Sequence, residues 1–152
     1  MELATSQKQS LDEIIVGRVS HESIKGDQQN RLTLSEEAKF LNVGISGLTL
    51  KYVATVIPRT IVIQAVGSDT TNLSKLYRRK HLATWQSDGI NNLSLTWLEV
   101  SNFFDHNTDD VNEWLFTPLP AFEGATPESL MGTTTGRLAV SACLNRMRYG
   151  DF

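Results

Sequence analysis

The sequence predicts an all-α protein in which a helix-turn-helix domain is followed by a second, small helical domain. Three observations carry that prediction. Helix starts and stops are marked along the chain, as at Pro58, Thr126-Pro127, Gly44, Gly67 and Gly150, and Leu73, Leu76 and Tyr77 recur at helical spacings of three and four. Leu73 and Leu76 stand six and nine positions after Gly67, the pattern of a short helix, a glycine turn and a second helix. At 152 residues the chain suffices for one globular domain or two small helical ones.

Residues 1–33 read as an N-terminal arm. They are mostly polar, with one apolar cluster at Leu11, Ile14, Ile15, Val16 and Val19 behind a capping box from Ser10 to Glu13, so a short helix, a strand or a loose arm are all open there. From Leu34 the signal strengthens. Ser35 can cap a helix whose first turn carries Glu36 and Glu37, whose apolar residues include Ala38, Leu41 and Val43, and which Gly44 can end. Leu48 to Ile57 forms a second helical stretch that must stop before Pro58, with enough β-branched residues to leave a strand open. Pro58 then suits a helix start, Ile61, Ala65 and Val66 supply a buried stripe, and Gly67 permits the turn. After a cap at Ser68 or Asp69, a helix over Thr70 to Lys80 places Leu73, Leu76 and Tyr77 on one side and leaves Asn72, Lys75, Arg78 and Arg79 outside.

Beyond His81 the pattern changes. Leu82 to Phe104 interleaves polar residues with Trp85, Ile90, Leu93, Leu95, Trp97, Leu98, Val100 and Phe103, and predicts helices joined near Ser87 to Gly89 or Asn91 to Leu95. Asp105 to Asp110 reads as a polar turn, and Asp109 as the start of a short helix with Val111, Trp114 and Leu115 that Pro118 and Pro120 break. Thr126 caps and Pro127 opens the next short helix, which Gly132 ends. A last helix, Thr135 to Tyr149, is expected to bury Leu138, Cys143, Leu144 and Met147 before Gly150 stops it.

Net charge is misleading as an average. A formal charge of −3 speaks against a nucleic-acid binder, but residues 51–81 carry six basic side chains and one acid, whereas residues 82–130 carry no basic side chain and eight acids. The one acid of the basic block, Asp69, sits where it would cap a helix and complement its dipole. Positive charge is thus concentrated on the helix that would enter a major groove.

The C-terminal third resembles the toxin-binding domain of Xre/MbcA/ParS antitoxins. The pattern is carried by Trp114, Leu115, Pro118, Gly124, Pro127, Leu130, Thr133, Gly136, Val140, Leu144, Arg146 and Gly150, whose joint spacing over 37 residues is specific although each element alone is common. Leu76, Arg78 and Arg79 are similar to the end of that family's recognition helix, and Leu82 with Ser87-Asp88 to the element after it. The similarity runs from Leu34 to Phe152 and is best from Val66. Leu119, Phe122 and Glu123 depart from it, standing where asparagine, leucine and glycine are usual.

The resemblance implies an antitoxin of a type II toxin-antitoxin pair: residues 34–95 a helix-turn-helix DNA-binding and dimerisation domain, residues 96–152 a toxin-binding domain. The implied partners are a RES-domain toxin that consumes NAD, operator DNA and a second copy of the chain, with no membrane. On the DNA side, Thr71, Asn72 and Lys75 would reach base edges, asparagine suiting adenine and lysine guanine, while Arg78, Arg79 and Lys80 would hold phosphates. On the toxin side, Arg146, Arg148, Tyr149, Gly150, Asp151 and Phe152 would lie against the cofactor cleft, offering basic groups, an aromatic ring and a carboxylate. A helical adaptor without DNA binding and a plain helix-turn-helix regulator are the alternatives.

No catalytic constellation is recognisable. The chain has no nucleophile elbow, phosphate loop or zinc-hydrolase motif, and one cysteine with three histidines offers no structural zinc spacing, so no catalytic residue, metal or cofactor is expected. The polar start, the lone cysteine and the lack of a long apolar run predict a cytoplasmic protein. Trp85, Trp97 and Trp114 are expected in the core or a dimer interface, Cys143 as an inert buried thiol, and Asp105, Asp109, Asp110 and Glu113 as caps and solubilising charge. His81 suits either a phosphate contact or a solvated helix end.

Overall fold

The computed structural model describes residues 8–21 and 32–150, and among these it contains helices and no strand. Nine α-helices follow one another among the described residues: α1 Leu11–Ser20, α2 Leu34–Val43, α3 Gly47–Val56, α4 Arg59–Ala65, α5 Thr70–Tyr77, α6 Thr84–Phe103, α7 Thr108–Leu115, α8 Pro127–Leu130 and α9 Thr134–Tyr149. A 3-10 turn, Pro120–Phe122, lies between α7 and α8. The all-α class is as the sequence predicts.

Helix α6 is the axis of the molecule. It packs against α1, α2, α4, α7 and α9, and Ile90, Leu93, Trp97 and Val100 supply its buried apolar stripe. The sequence suggested two helices here; the structure has one. The polar residues that looked like a joint are buried partners of other elements: the Ser87 hydroxyl accepts from the Ile45 amide at 3.0 Å, and Asn91 receives Arg18 at 2.7 Å and donates to Glu37 at 2.6 Å. Gly89 continues the helix because it lies against α4, where a Cβ would stand 2.8 Å from the Ala65 carbonyl. The expected division at residue 95 falls inside this helix.

The N-terminal segment contributes to the core. Its predicted capping box is present, with Ser10 accepting from the Glu13 amide and Glu13 from the Ser10 amide. Leu11, Ile15 and Val19, four residues apart on one face of α1, are buried against α3 and α6. Asp12 accepts from both the amide and the hydroxyl of Ser46, the cap of α3, and Arg18 bonds Asn91 and Ser94 of α6. Burial lowers the Arg18 pKa, with Glu37 opposing the shift. An ion pair from Lys8 to Glu36 joins the start of α1 to α2.

Several boundaries move. Thr33, not Ser35, caps α2, in a second reciprocal box with Glu36. The Leu48 to Ile57 stretch is helical, capped by Ser46 and ended at Ile57 before Pro58. Asn107 caps α7, and Thr133 caps α9 one residue early. Thr126 and Pro127 open α8 as read. On α9, Leu138 is 66% exposed where a buried position was expected, because the buried stripe is Arg137, Val140, Cys143 and Leu144; Met147 is half-buried. Trp97 and Trp114 are buried, whereas Trp85 is 60% exposed, its ring lying over the Gly67 turn. Cys143 is buried, and burial raises its pKa. No described helix is long and apolar enough to cross a membrane.

Candidate functional site

Two surfaces gather the residues singled out in the sequence. The first is built by α3, α4 and α5. Pro58 precedes α4, and Ile61, Val62 and Val66 anchor it in the core. Gly67, with φ of 59°, turns the chain in a conformation glycine adopts without strain. Asp69 caps α5, accepting the Asn72 amide at 2.7 Å, and that bond heads the causes that hold its carboxyl below the usual range. Leu73 and Leu76 face the core, so Thr71, Asn72 and Lys75 are exposed on the outer side, as expected. The Asn72 side chain also donates to Asp69 at 2.9 Å. That bond fixes its orientation and leaves one N–H and the carbonyl oxygen for a partner.

The basic run ends up off the helix. α5 stops at Tyr77, three residues short of the predicted Lys80, because tertiary bonds replace helical ones: the Gly47 amide donates to the Arg79 carbonyl at 2.9 Å, and the Leu82 amide to the Ile45 carbonyl at 2.8 Å. The close approach needs glycine at both Gly44 and Gly47, where a Cβ would run into the carbonyls of Leu82 and of Leu76 and Tyr77. His81 Nδ1 lies 3.2 Å from the Gly44 carbonyl on the same seam. Segment 78–82 is therefore pinned beside residues 44–47, and Arg78, Arg79 and Lys80 project from a held backbone. They line an open groove of about 690 Å³ together with Ser46, Leu48, Lys51, Ser74 and Tyr77. Lys51 was counted in the basic block of the sequence but assigned no role there; only the packing of α3 on α5 brings it to the other three cations.

The second surface is the end of α9. Thr133 accepts the Gly136 amide at 3.0 Å, and Gly136 sits so close to the Leu130 carbonyl that no larger residue fits. Arg137, 3% exposed, donates to Asn92 of α6 at 2.7 Å and to the Met131 carbonyl at 2.9 Å; burial lowers its pKa and Asp88 opposes the shift. Ser141 donates to Glu99 at 2.8 Å. These bonds lock α9 on α6 and aim its last turn outward. Arg146, Arg148 and Tyr149 are exposed there, Tyr149 at 77%, and Gly150 closes the helix with φ of 67°. The Arg148 guanidinium lies 6.0 Å from the Phe103 ring centre, leaving Arg146 and Tyr149 the freer pair. Asp151 and Phe152 lie outside the described residues. The sequence gives no sign that Arg137 is buried, because its partner Asn92 lies 45 residues away.

The loop before α8 accounts for one departure from the antitoxin pattern. Glu123, where glycine is usual, has a left-handed backbone with φ of 55°, and Gly124 follows at 89°. Among the described residues no group of His, Cys, Asp or Glu is placed to hold a metal ion. Residues 102–150, from the last turn of α6 to the cap of α9, match the family model of the antitoxin Xre/MbcA/ParS C-terminal toxin-binding domain. No curated protein matches the chain.

Proposed function

We propose, from the match of residues 102–150 to the family model of the antitoxin Xre/MbcA/ParS C-terminal toxin-binding domain, that this chain is the antitoxin of a type II pair whose toxin is a RES-domain, NAD-consuming protein. Its C-terminal end covers the toxin's active-site cleft. The observation that carries this reading is the exposed last turn of α9 at the end of the matched segment, with Arg146 and Tyr149 exposed in front of a core-locked helix. A guanidinium can pair with acidic groups of a partner, and an exposed tyrosine gives a rigid contact with little entropy to lose.

The same chain binds its own operator as a homodimeric, cytoplasmic repressor. α5 presents Thr71, Asn72 and Lys75 outward, and Arg78, Arg79 and Lys80 stand at its end. One short helix per subunit makes few base contacts, and two copies on a two-fold operator double them.

The test has two arms. Co-expressed with a RES-domain toxin encoded beside it, the intact chain keeps cellular NAD constant, and a chain lacking residues 149–152 fails to do so while its circular dichroism is unchanged. Full protection by the shortened chain overturns the toxin-side reading. In gel shifts with DNA from upstream of the chain's own reading frame, Lys75→Glu loses retention. Unaltered retention removes α5 from the DNA interface.

A further inference from the structure

The groove between α3 and the end of α5 holds four cations, Lys51, Arg78, Arg79 and Lys80, and none of them forms an ion pair among the described residues. Its lining contains no carboxylate. Asp12, which reaches the groove residue Ser46, is spent on it, binding its amide at 2.8 Å, so the start of α3 already has its anion. The cations therefore face a solvent-open channel that lacks a counter-charge. They come from two elements held together by backbone hydrogen bonds, which makes the arrangement preorganised.

We propose that this groove is a clamp for the DNA sugar-phosphate backbone, in which Lys51 of α3 acts with Arg78, Arg79 and Lys80 on the strand that flanks α5. Lys51 is thus a positioning residue for DNA binding. The proposal deepens the operator-binding reading and rests on it for the docking of α5. Three features favour a duplex over a compact anion. The cations lie along a channel of about 690 Å³, far larger than one phosphate. Ser74, one residue before Lys75, lines the same channel, so the groove continues from the outward face of α5. Leu48, 73% exposed, and Tyr77 add apolar surface of the kind that packs on deoxyribose. Phosphate contacts fix register and carry no sequence information, so the clamp works on any duplex.

The experiment measures fluorescence anisotropy of a random-sequence 20-base-pair duplex and of the upstream DNA over a salt series, using the full chain, Lys51→Gln and Lys39→Gln. Lys39 is exposed on α2 and gives the same charge change elsewhere. Each phosphate contact adds about 0.9 to the slope of log affinity against log salt. Lys51→Gln is expected to lower the slope by about 0.9 on both duplexes and to weaken binding about eightfold at about 0.1 M salt, with the preference for upstream DNA unchanged. Lys39→Gln should leave the slope as it was. An unchanged slope in Lys51→Gln overturns the clamp, as does an equal loss in Lys39→Gln. Binding of polyglutamate that depends on Lys51, without binding of duplex, also overturns it and assigns the groove to an acidic protein. If the random duplex binds through Lys51 but upstream DNA has no advantage, the clamp stands and the operator reading fails. Absence of binding to either duplex removes both.

Discussion

The His21 ring packs on His106 with centroids 4.3 Å apart and the planes tilted by 43°, and its Nδ1 is buried without a hydrogen-bond partner among the described residues. Burial first, and His106 second, lower the His21 pKa. A histidine whose pKa is lower folded than unfolded binds its proton less readily in the native state. The native state therefore loses stability as pH falls from the ordinary histidine range through the lowered pKa, and keeps all of it above that range. The melting temperature is expected to drop as pH falls below the ordinary histidine value of about 6.5, and His21→Gln should flatten that profile. His106→Gln removes only the smaller cause, so it should keep most of the slope. A profile in His21→Gln as steep as in the parent protein assigns the dependence elsewhere. Both histidines occupy left-handed backbone, with φ of 59° and 60°, and their ring contact joins the end of α1 to the corner after α6.

At the scale of elements, the turn before α8 tests how the family pattern is met. Glu123 holds a left-handed conformation that costs an ordinary residue about 1 kcal/mol, and glycine there loses part of this gain to its freer unfolded chain. Glu123→Gly is expected to raise stability by about 0.5 kcal/mol in urea denaturation, with toxin binding intact; a loss of stability shows that the carboxylate has a role the backbone does not reveal. Most helix signals in this chain were legible because they are local. The capping box at Ser10, the Thr126-Pro127 start and the Gly150 stop need only neighbouring residues. What failed to show depends on distant partners. α6 read as two helices because Ser87, Asn91 and Ser94 resemble a loop until Ile45 and Arg18 are placed against them. α5 ends at Tyr77 and not at the predicted Lys80 because the bond from Gly47 to Arg79 that ends it spans 32 residues. The candidate sites divide the same way: Lys75 follows from helical periodicity and Tyr149 from the antitoxin resemblance, whereas Lys51 joins the basic groove only through packing.

For the whole molecule, the segment that carries the antitoxin match does not own its core. α9 buries Arg137, Val140, Cys143 and Leu144, and its chief packing partner is α6, most of which precedes residue 102. The bonds of Arg137 to Asn92 and of Ser141 to Glu99 also reach partners outside the matched residues. On the other side, Thr60 of α4 donates to Glu128 of α8 at 2.6 Å, so α4 touches the segment that carries the match directly. Small chains bury too little surface to fold without added support, and removing α6 also leaves the Arg137 guanidinium short of a partner. A fragment of residues 102–152 is therefore expected to show little helix by circular dichroism and poor amide dispersion by NMR. Starting the fragment at Thr84 restores α6 and should recover helicity, though α1 and α4 are then missing and its melting temperature stays below that of the full chain. A well-folded 102–152 fragment overturns this dependence and makes the toxin-binding segment an autonomous unit. If instead only the longer fragment folds, α6 is the element through which both surfaces are held, and substitutions on its buried polar face, such as Asn91→Ala, should weaken DNA retention and toxin protection together.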